Sequence, residues 1–196
     1  MQTQNLILAS SSKIRKSILQ NAGLKFKTRQ PQFDETSAHQ SLRAIPARAI
    51  AIFLAEQKAL SLAAHRHLIM GADQTLSYQG NLYKKPNSID QAHRQLLALR
   101  GGTHTLHSAL AIAQDGRVIW TVCQEAQVTM RNFSDDFART YIAACGTKLL
   151  NTVGSYQLES LGAQLFEKIE GDYFTILGLP LLHCLAFLRD IKFMAS

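Results

Sequence analysis

Three kinds of polar residue that suit phosphate chemistry stand close to short apolar runs in this chain. Apolar runs that end in polar residues are typical of buried strands whose last residues reach the rim of a sheet. The polar residues are a carboxylate, a group of hydroxyls and two cations: Asp73, Ser10–Ser12, Arg15 and Lys85. Together, an acid, hydroxyls and cations indicate a site for a phosphate-bearing ligand.

The serines that follow the first apolar run are predicted to bind phosphate oxygens. Amide groups at a helix start attract anions, and hydroxyls with a nearby guanidinium add donors that match phosphate. Ser10 and Ser12 would supply the hydroxyls, and Arg15, one turn into the helix, the guanidinium. The same serines are typical helix N-caps, and that interpretation stays open on spacing alone. The glycines and the Gly-Lys-Ser/Thr ending of a Walker loop are absent.

Asp73 is the first candidate for the chemistry itself, because the apolar run before it predicts a strand that ends at the open edge of a sheet. Its carboxylate would act as a general base or as a ligand of a hard metal. Hydrolysis of a phosphoanhydride needs an activated water and a divalent ion, and carboxylates suit Mg²⁺ or Mn²⁺. Asp34 and Glu35 would supply further oxygen ligands. For Asp73 the alternative is a capping or turn aspartate. For Asp34 and Glu35 it is a polar surface loop.

Two lysines are candidates for pairing with phosphate. Pro86 restricts the residue before it to extended geometry, so Lys85 is expected to project in a defined direction from a stiff loop. Lys58 lies within a helical pattern, where a solvent-facing charge is the ordinary interpretation. An ordinary surface lysine is also the alternative for Lys85.

The elements that must position these residues begin with strand and helix in alternation. Parallel strand-helix units at the start, followed by a hairpin, imply the α/β class with a mixed sheet covered by helices. Asp115-Gly116 between two long runs is a strong two-residue hairpin signal. The predicted strands are 5–9, 25–30, the run ending at Asp73, 77–83 around Gln79-Gly80, Thr103–Gln114 and Arg117–Met130. The predicted helices follow Ser12 and span 45–64, 89–99, 134–144 and 180–188, with a glycine-punctuated stretch over 146–171.

Composition limits the classes of protein that remain. At 196 residues, 46% of them hydrophobic, the chain fits one domain or one elongated domain with two lobes. Lys and Arg total 21 against 14 for Asp and Glu, and the resulting +7 charge favours anionic partners. The charges are scattered, without a like-charge block or an aromatic stacking cluster, so a nucleic-acid binder is the weakest interpretation.

Cysteine usage and the absence of a long apolar segment favour a cytoplasmic protein. Cys123, Cys145 and Cys184 are odd in number and far apart, so a disulfide framework or a CxxC metal site is not expected. The chain has no secretory pattern near Met1 and no apolar segment close to ~20 residues. We therefore expect a cytoplasmic protein without membrane contact.

A set of short motifs runs in order along nearly the whole chain. It comprises Leu8-Ala9-Ser10-Ser11-Ser12 with Arg15, Asp34-Glu35, Lys58-Ala59, Gly71-Ala72-Asp73, Lys85-Pro86, Gly102-Thr103-His104 and Glu170-Gly171-Asp172 with Gly178-Leu179-Pro180. Single pieces such as Lys-Pro are weak signals, but the ordered set is highly specific. Together the motifs closely resemble those of the Maf family.

The resemblance implies a cytoplasmic nucleoside triphosphate pyrophosphatase with an inosine-triphosphatase-like fold, in which an elongated mixed sheet separates two lobes around a cleft. It implies cleavage between the α and β phosphates, with a divalent metal, to a nucleoside monophosphate and pyrophosphate. A homodimer is expected from the family only. Because Maf proteins are also associated with inhibition of septum formation, a weakly active or noncatalytic regulator that acts through partners is the alternative.

By position, the resemblance also assigns site residues. Asp73 becomes the proton acceptor that activates water, and Glu35 becomes its partner at the metal. Hydrogen-bond donors and cations in such a site stabilise the charge that develops on the phosphates. The residues expected to bind the triphosphate or to stabilise the departing pyrophosphate are Ser10, Ser12, Arg15, Lys58 and Lys85.

Departures from the family pattern bear on activity and on base preference. Gln74 follows the acid where the family commonly has threonine, and Asn151–Gly154 lacks the family's lysine, a loss that would fit weak activity. Glu159 stands where the branch acting on dTTP and UTP has glutamine. Glutamate there looks like the branch that hydrolyses 7-methyl-GTP, because a carboxylate pairs with a cationic methylated guanine or accepts from guanine N1 and N2. Glu159 is thus a candidate base-binding residue, with the base left open.

Overall fold

The computed structural model describes residues 5–34 and 45–195. The strands are β1 (Asn5–Ala9), β2 (Phe26–Arg29), β3 (His67–Tyr78), β4 (Asn81–Tyr83), β5 (Thr103–Gln114), β6 (Arg117–Met130) and β7 (Phe166–Glu170). The α-helices are α1 (Lys13–Asn21), α2 (Ala47–Leu60), α3 (Ile89–Leu99), α4 (Asp135–Cys145), α5 (Tyr173–Ile176) and α6 (Leu181–Asp190). Short 3₁₀ segments cover Gly146–Asn151, Val153–Ser155 and Leu161–Leu165.

In the part of the chain that the structure describes, seven strands form a mixed sheet. The order is β2-β1-β3-β5-β6-β7, and β4 pairs with β3. Strand β1 is parallel to β2 and to β3, whereas β4 is antiparallel to β3 and β7 is antiparallel to β6. The predicted α/β class with a mixed sheet and helices is therefore confirmed.

The chain divides into two compact units. The first contains Met1–Gln74, His107–Gln124 and Tyr173–Ser196, and the second contains Thr75–Leu106 and Glu125–Asp172. The single domain with two lobes around a cleft stays a prediction.

In the first unit, apolar side chains of a parallel strand pair and of α2 form the core. Residues 6–9 of β1 are all buried, as expected for a strand of a parallel sheet that is covered on both faces. Alanines on one face of α2 pack in a single cluster with alanines of β5: Ala51, Ala55, Ala59, Ala109, Ala111 and Ala113. The small side chains let the helix backbone approach the sheet closely.

In the second unit, hydroxyl caps define the starts of two helices. The Ser88 side chain accepts a hydrogen bond from the Gln91 amide at the start of α3, and the Ser134 side chain accepts one from the Phe137 amide at the start of α4. Such caps satisfy backbone donors that have no partner within the helix. The helices therefore begin where the sequence places serine, one residue later for α4 than predicted.

The two predicted turns have the backbone that their sequences demand. Asp115 and Gly116 lie at φ 48° and 78°, and Gln79 and Gly80 lie at φ 49° and 76°. Consecutive positive φ values are typical of tight hairpin turns, and glycine adopts them without steric cost. Strands β5 and β6 have the predicted bounds on either side of Asp115-Gly116.

Two predictions about the elements were wrong, and one strand was missed. Strand β3 does not end at Asp73 but continues to Tyr78, because Thr75 and Leu76 are also buried and extend the strand. Helix α2 is shorter than the predicted 45–64, and its last turn closes with the Ser61 amide bonded to the Gln57 carbonyl. Strand β7 was not predicted, because its residues are mostly exposed and carry no strong apolar alternation.

No helix among residues 5–34 and 45–195 is long and apolar enough to cross a membrane.

Candidate active site

A buried ion pair connects α2 with β3. The Lys58 ammonium Nζ lies 2.5 Å from Asp73 Oδ1, and the two residues are only 6% and 8% exposed. Two opposite charges removed from water must be well paired to be tolerated. Lys58 is therefore not the solvent-facing lysine that its helical position suggested. The sequence placed both residues in the site but did not predict their contact.

Gly71 explains how the helix comes near enough to the strand for this pair to form. A Cβ atom built on Gly71 would lie 2.1 Å from the Ala55 carbonyl oxygen and 2.5 Å from the Ala59 amide nitrogen, both in α2. Any side chain larger than hydrogen would push α2 off β3. The glycine two positions before Asp73 thus lets Lys58 reach the carboxylate.

The serines lie where β1 stops and β3 continues. Ala9 pairs with Gly71, so Ser10 follows the last paired residue of β1 while β3 goes on through Asp73. The Ser10 hydroxyl accepts a hydrogen bond from the Ser12 amide, and Ser12 caps α1 by accepting one from the Arg15 amide at 3.4 Å. The capping interpretation of Ser12 is therefore correct, and both serines stand at the start of α1.

Arg15 is tied to the backbone on both sides of the site. Its Nη1 donates to the Ala72 carbonyl at 2.8 Å, and its Nε donates to the Gly178 carbonyl at 2.8 Å. Gly178 lies at φ +91°, in the left-handed region that favours glycine. The guanidinium therefore lies beside the residue that precedes Asp73, as a donor to carbonyl groups.

Gln74, the departure from the family pattern beside the acid, joins β3 to α5. Its Nε2 donates to the carbonyl oxygens of Thr175, at 3.2 Å, and Ile176, at 2.9 Å, and to Ser108 Oγ at 2.9 Å. Ser108 is fully buried and in turn donates to the Thr175 carbonyl. Ser108 was missed by the sequence analysis, because a lone serine inside a strand carries no motif.

Lys85 belongs to the second unit and lies in the loop between β4 and α3. Its side chain is exposed, whereas Pro86 next to it is buried and anchors the loop. The carbonyl of the preceding residue, Lys84, accepts a hydrogen bond from Gln95 Nε2 at 2.8 Å. The stiff loop that the Lys-Pro pair predicted thus has packing on one side of Lys85 and a hydrogen bond on the other.

Glu159 is exposed in the second unit, within the turn after Leu158. Burial raises the pKa of the Tyr141 hydroxyl well above its usual value, with smaller contributions from Cys145 and Glu159. The same hydroxyl accepts a hydrogen bond from the Gln157 amide at 3.4 Å. A carboxylate and a neutral phenol therefore occur in one small region of this unit.

Of the two predicted metal ligands, Glu35 and Asp73, only Asp73 lies within the described residues. Glu35 lies outside the described residues, whereas Asp73 is placed by β3. Within residues 5–34 and 45–195 no group of three or more His, Cys, Asp or Glu side chains could hold a metal ion. Mg²⁺ is commonly bound through one or two carboxylates together with substrate phosphates and water, so a single placed carboxylate fits such an ion.

Relatives of known name cover nearly the whole chain. A protein of Caulobacter vibrioides, 51% identical over 185 residues and 93% of each chain, is named nucleoside triphosphate pyrophosphatase. One of Hyphomonas neptunium with the same name is 45% identical over 96% of this chain and 97% of its own. One of Rhizobium etli, named 7-methyl-GTP pyrophosphatase, is 43% identical over 96% of this chain and 97% of its own.

The family model described as Maf-like protein matches residues 5–191. The chain belongs to the Maf family, as its ordered motifs predicted.

Proposed function

We propose that the chain is a nucleoside triphosphate pyrophosphatase, a hydrolase that adds water across the α-β phosphoanhydride bond. The products are a nucleoside monophosphate, pyrophosphate and a proton. The names of relatives at 43–51% identity support the reaction class. The main structural support is the buried Asp73 carboxylate, which pairs with Lys58. Asp73 lies two residues after Gly71, where the helix and the strand approach closely.

In this proposal Asp73 takes the proton of the attacking water. A carboxylate held rigidly in a strand can orient a water through one oxygen while another group holds the second. Lys58 supplies that other contact, on Oδ1. Its charge also compensates the negative charge that gathers around the phosphates, as a cation in a water-poor site does.

The start of α1 would hold the phosphates. Ser10 and Ser12 contribute hydroxyls, and the first amides of α1 point out of the helix end, where anions are favoured. Arg15 adds positive charge beside Asp73 while its hydrogen bonds to Ala72 and Gly178 keep the strand and the facing loop in place.

A divalent cation, Mg²⁺ or Mn²⁺, fits this donor set. Asp73 is the placed residue that would hold it, with Glu35 as the expected second ligand. Such an ion offsets the charge of the phosphates and polarises a bound water.

Two further residues are proposed to act on the substrate. Lys85 is proposed to stabilise the departing pyrophosphate, and Glu159 to recognise the base. Relatives of both names, the general one and the 7-methyl-GTP one, are 45% and 43% identical to this chain, so the base preference has to be measured.

The test is pyrophosphate release from a panel of dTTP, UTP, CTP, GTP, ITP and 7-methyl-GTP, each with Mg²⁺ and with Mn²⁺. We expect release from at least one nucleotide, dependent on the cation, together with an equal amount of nucleoside monophosphate. Orthophosphate as the first product would overturn the bond assignment. No release from any nucleotide would instead favour a noncatalytic regulator that acts through partners.

A further inference from the structure

We propose that Gln95 is a positioning residue for the reaction, one that holds the Lys85 loop and the loop leading to Glu159 in a fixed relation. The inference rests on the proposed function, since it assumes that Lys85 acts on the leaving pyrophosphate. Gln95 lies on the buried face of α3, among the apolar residues Ala92, Leu96 and Leu99, and is 8% exposed.

Both ends of the Gln95 carboxamide are used. Nε2 donates to the Lys84 carbonyl at 2.8 Å, and Oε1 accepts from Ser155 Oγ at 2.8 Å. A buried amide is tolerated in an apolar region only when its donors and acceptors find partners. Gln95 is therefore a neutral bridge between two loops rather than a packing residue.

The first partner controls the direction of Lys85. The Lys84 carbonyl belongs to the peptide group that joins Lys84 to Lys85, so the hydrogen bond fixes the orientation of that peptide plane. On the other side, Pro86 restricts the backbone of Lys85 and is itself buried. With the backbone held on both sides, the Cα–Cβ bond of the exposed lysine has a set direction, which limits the region that its flexible side chain can reach.

The second partner lies at a strained reversal of the chain. Ser155 is fully buried and adopts φ +61°, directly after Gly154 at φ +75°. A left-handed conformation is costly for a residue with a Cβ and persists when its surroundings hold it. The hydrogen bond to Gln95 is one such restraint, and four residues later the same loop reaches Glu159.

The next residue shows that this loop is held firmly. The Tyr156 hydroxyl and His104 Nε2 lie 2.8 Å apart, and both residues are buried. The loop therefore has two neighbouring polar anchors, of which Gln95 is the one shared with the Lys85 loop. This sharing makes Gln95, rather than His104, the residue that joins the two candidate substrate contacts.

The experiment replaces Gln95 by methionine, which has a similar length and no hydrogen bond to offer either loop. We expect kcat to fall about tenfold, as small misplacements of catalytic groups do, and pyrophosphate binding measured by calorimetry to weaken severalfold. The Kd of the nucleoside monophosphate should also rise, because the same bridge holds the loop that leads to Glu159, the proposed base contact. Ser155→Gly removes the CH2OH side chain, and with it the hydrogen bond to Gln95, while it relieves the positive φ, so it is expected to fold and to show a smaller loss.

Gln91→Met is the matched control. Gln91 lies one turn earlier in the same helix and accepts a hydrogen bond from the Asn87 amide at the exposed end of the loop. Water can replace that bond, so kcat is expected to stay within about twofold of wild type. The thermal unfolding temperatures of all three variants show whether a loss of kcat comes from a displaced loop in a folded protein or from unfolding.

A combination with Lys85→Ala tests whether the two residues act through one another. If Gln95 works by aiming Lys85, adding Gln95→Met to Lys85→Ala should cost no more than about twofold further. Full additivity, or wild-type kinetics and pyrophosphate affinity in a folded Gln95→Met protein, would overturn the inference. These results differ from failure of the proposed function, which would leave the wild-type protein inactive on every nucleotide.

Discussion

The two compact units differ in the polar contacts that they bury. The first unit contains a buried charged pair, the Lys58 ammonium against the Asp73 carboxylate, in addition to the neutral hydrogen bond from Ser108 to the Thr175 carbonyl. In the second unit the corresponding buried contacts are neutral: Gln95 with Ser155, and His104 with Tyr156. A charged pair creates a strong local field, whereas a neutral one fixes geometry at a smaller cost of desolvation. The first arrangement suits chemistry on a substrate, and the second suits the holding of loops.

The protonation states in the second unit support this contrast. Burial lowers the pKa of His104 to about 4, so the imidazole is neutral around pH 7. Burial also raises the pKa of the Tyr156 hydroxyl far above its usual value. The His104–Tyr156 contact is thus a hydrogen bond between uncharged groups, and it changes little through the neutral pH range. The following substitutions would break or sharpen the comparison.

Lys58→Met should have the largest effect on stability. It leaves the buried Asp73 carboxylate without its cation, and removing one partner of a buried pair costs about 3 kcal/mol or more of unfolding free energy. Urea unfolding measures the loss. The double variant Lys58→Met with Asp73→Leu is expected to recover most of it, because no charge is then left buried. A single variant as stable as wild type would show that the pair is solvated rather than buried.

Asp73→Asn should have the largest effect on turnover. The amide keeps the shape of the side chain but cannot take a proton from water, so kcat is expected to fall at least ~100-fold with nucleotide binding largely intact. Kinetics and calorimetry with a non-hydrolysable α,β-methylene nucleotide check the two parts. Asp136→Asn, at an exposed aspartate of α4, is the control with unchanged kcat. Comparable turnover in Asp73→Asn would remove Asp73 from the catalytic role.

Gly71→Ala tests whether close approach of α2 forms the charged pair. The added methyl group meets the Ala55 carbonyl at 2.1 Å, and such overpacking costs about 2 kcal/mol. The free energy of unfolding, measured with urea, and kcat should both fall, because Lys58 moves with the helix. Gly116→Ala meets nothing within 4 Å but sits at φ +78°, so it should cost only about 1 kcal/mol and leave kcat unchanged. Equal costs for the two variants would mean that α2 shifts freely.

His104 should give the second unit a modest sensitivity to acid. Its folded pKa, about 4, lies below the ordinary value of 6.5, so the unfolded chain binds the proton more readily. The contribution of His104 to the free energy of unfolding is complete above pH 6.5. It is lost as the pH falls towards 4, by about 1 kcal/mol for each pH unit. His104→Gln, which can still form a hydrogen bond with Tyr156, should reduce the pH dependence of the free energy of unfolding, measured with urea, between pH 6.5 and 4.5. The exposed His183→Gln should not; if it flattens the curve equally, burial of His104 is not the cause.

Local sequence was sufficient for many elements. The caps at Ser12, Ser88 and Ser134 and the turn at Asp115-Gly116 act within a few residues of themselves, so their effect can be predicted from spacing. The end of β3 could not be predicted in this way. A polar pair, Asp73 and Gln74, resembles a strand end unless its partners in other elements are known.

The same distinction holds for the candidate site. Residue type and order along the chain singled out Asp73, Ser10, Ser12 and Arg15, and the family model agrees with the family those motifs indicated. The roles of Ser108 and Gln95 had no such signal, because each depends on hydrogen bonds to residues dozens of positions away.

By itself, the sequence determined the α/β class, the starts of the serine-capped helices, the hairpin and the family, since these depend on periodicity, on local hydrogen bonds and on ordered motifs. Tertiary structure alone decided that Lys58 lies against Asp73, that Arg15 binds the Ala72 and Gly178 carbonyls, and that Gln95 bridges two loops. The physical reason is that desolvation and hydrogen-bond partners are set by distance in space. A residue pattern fixes what a side chain is able to do, and packing fixes which group it meets.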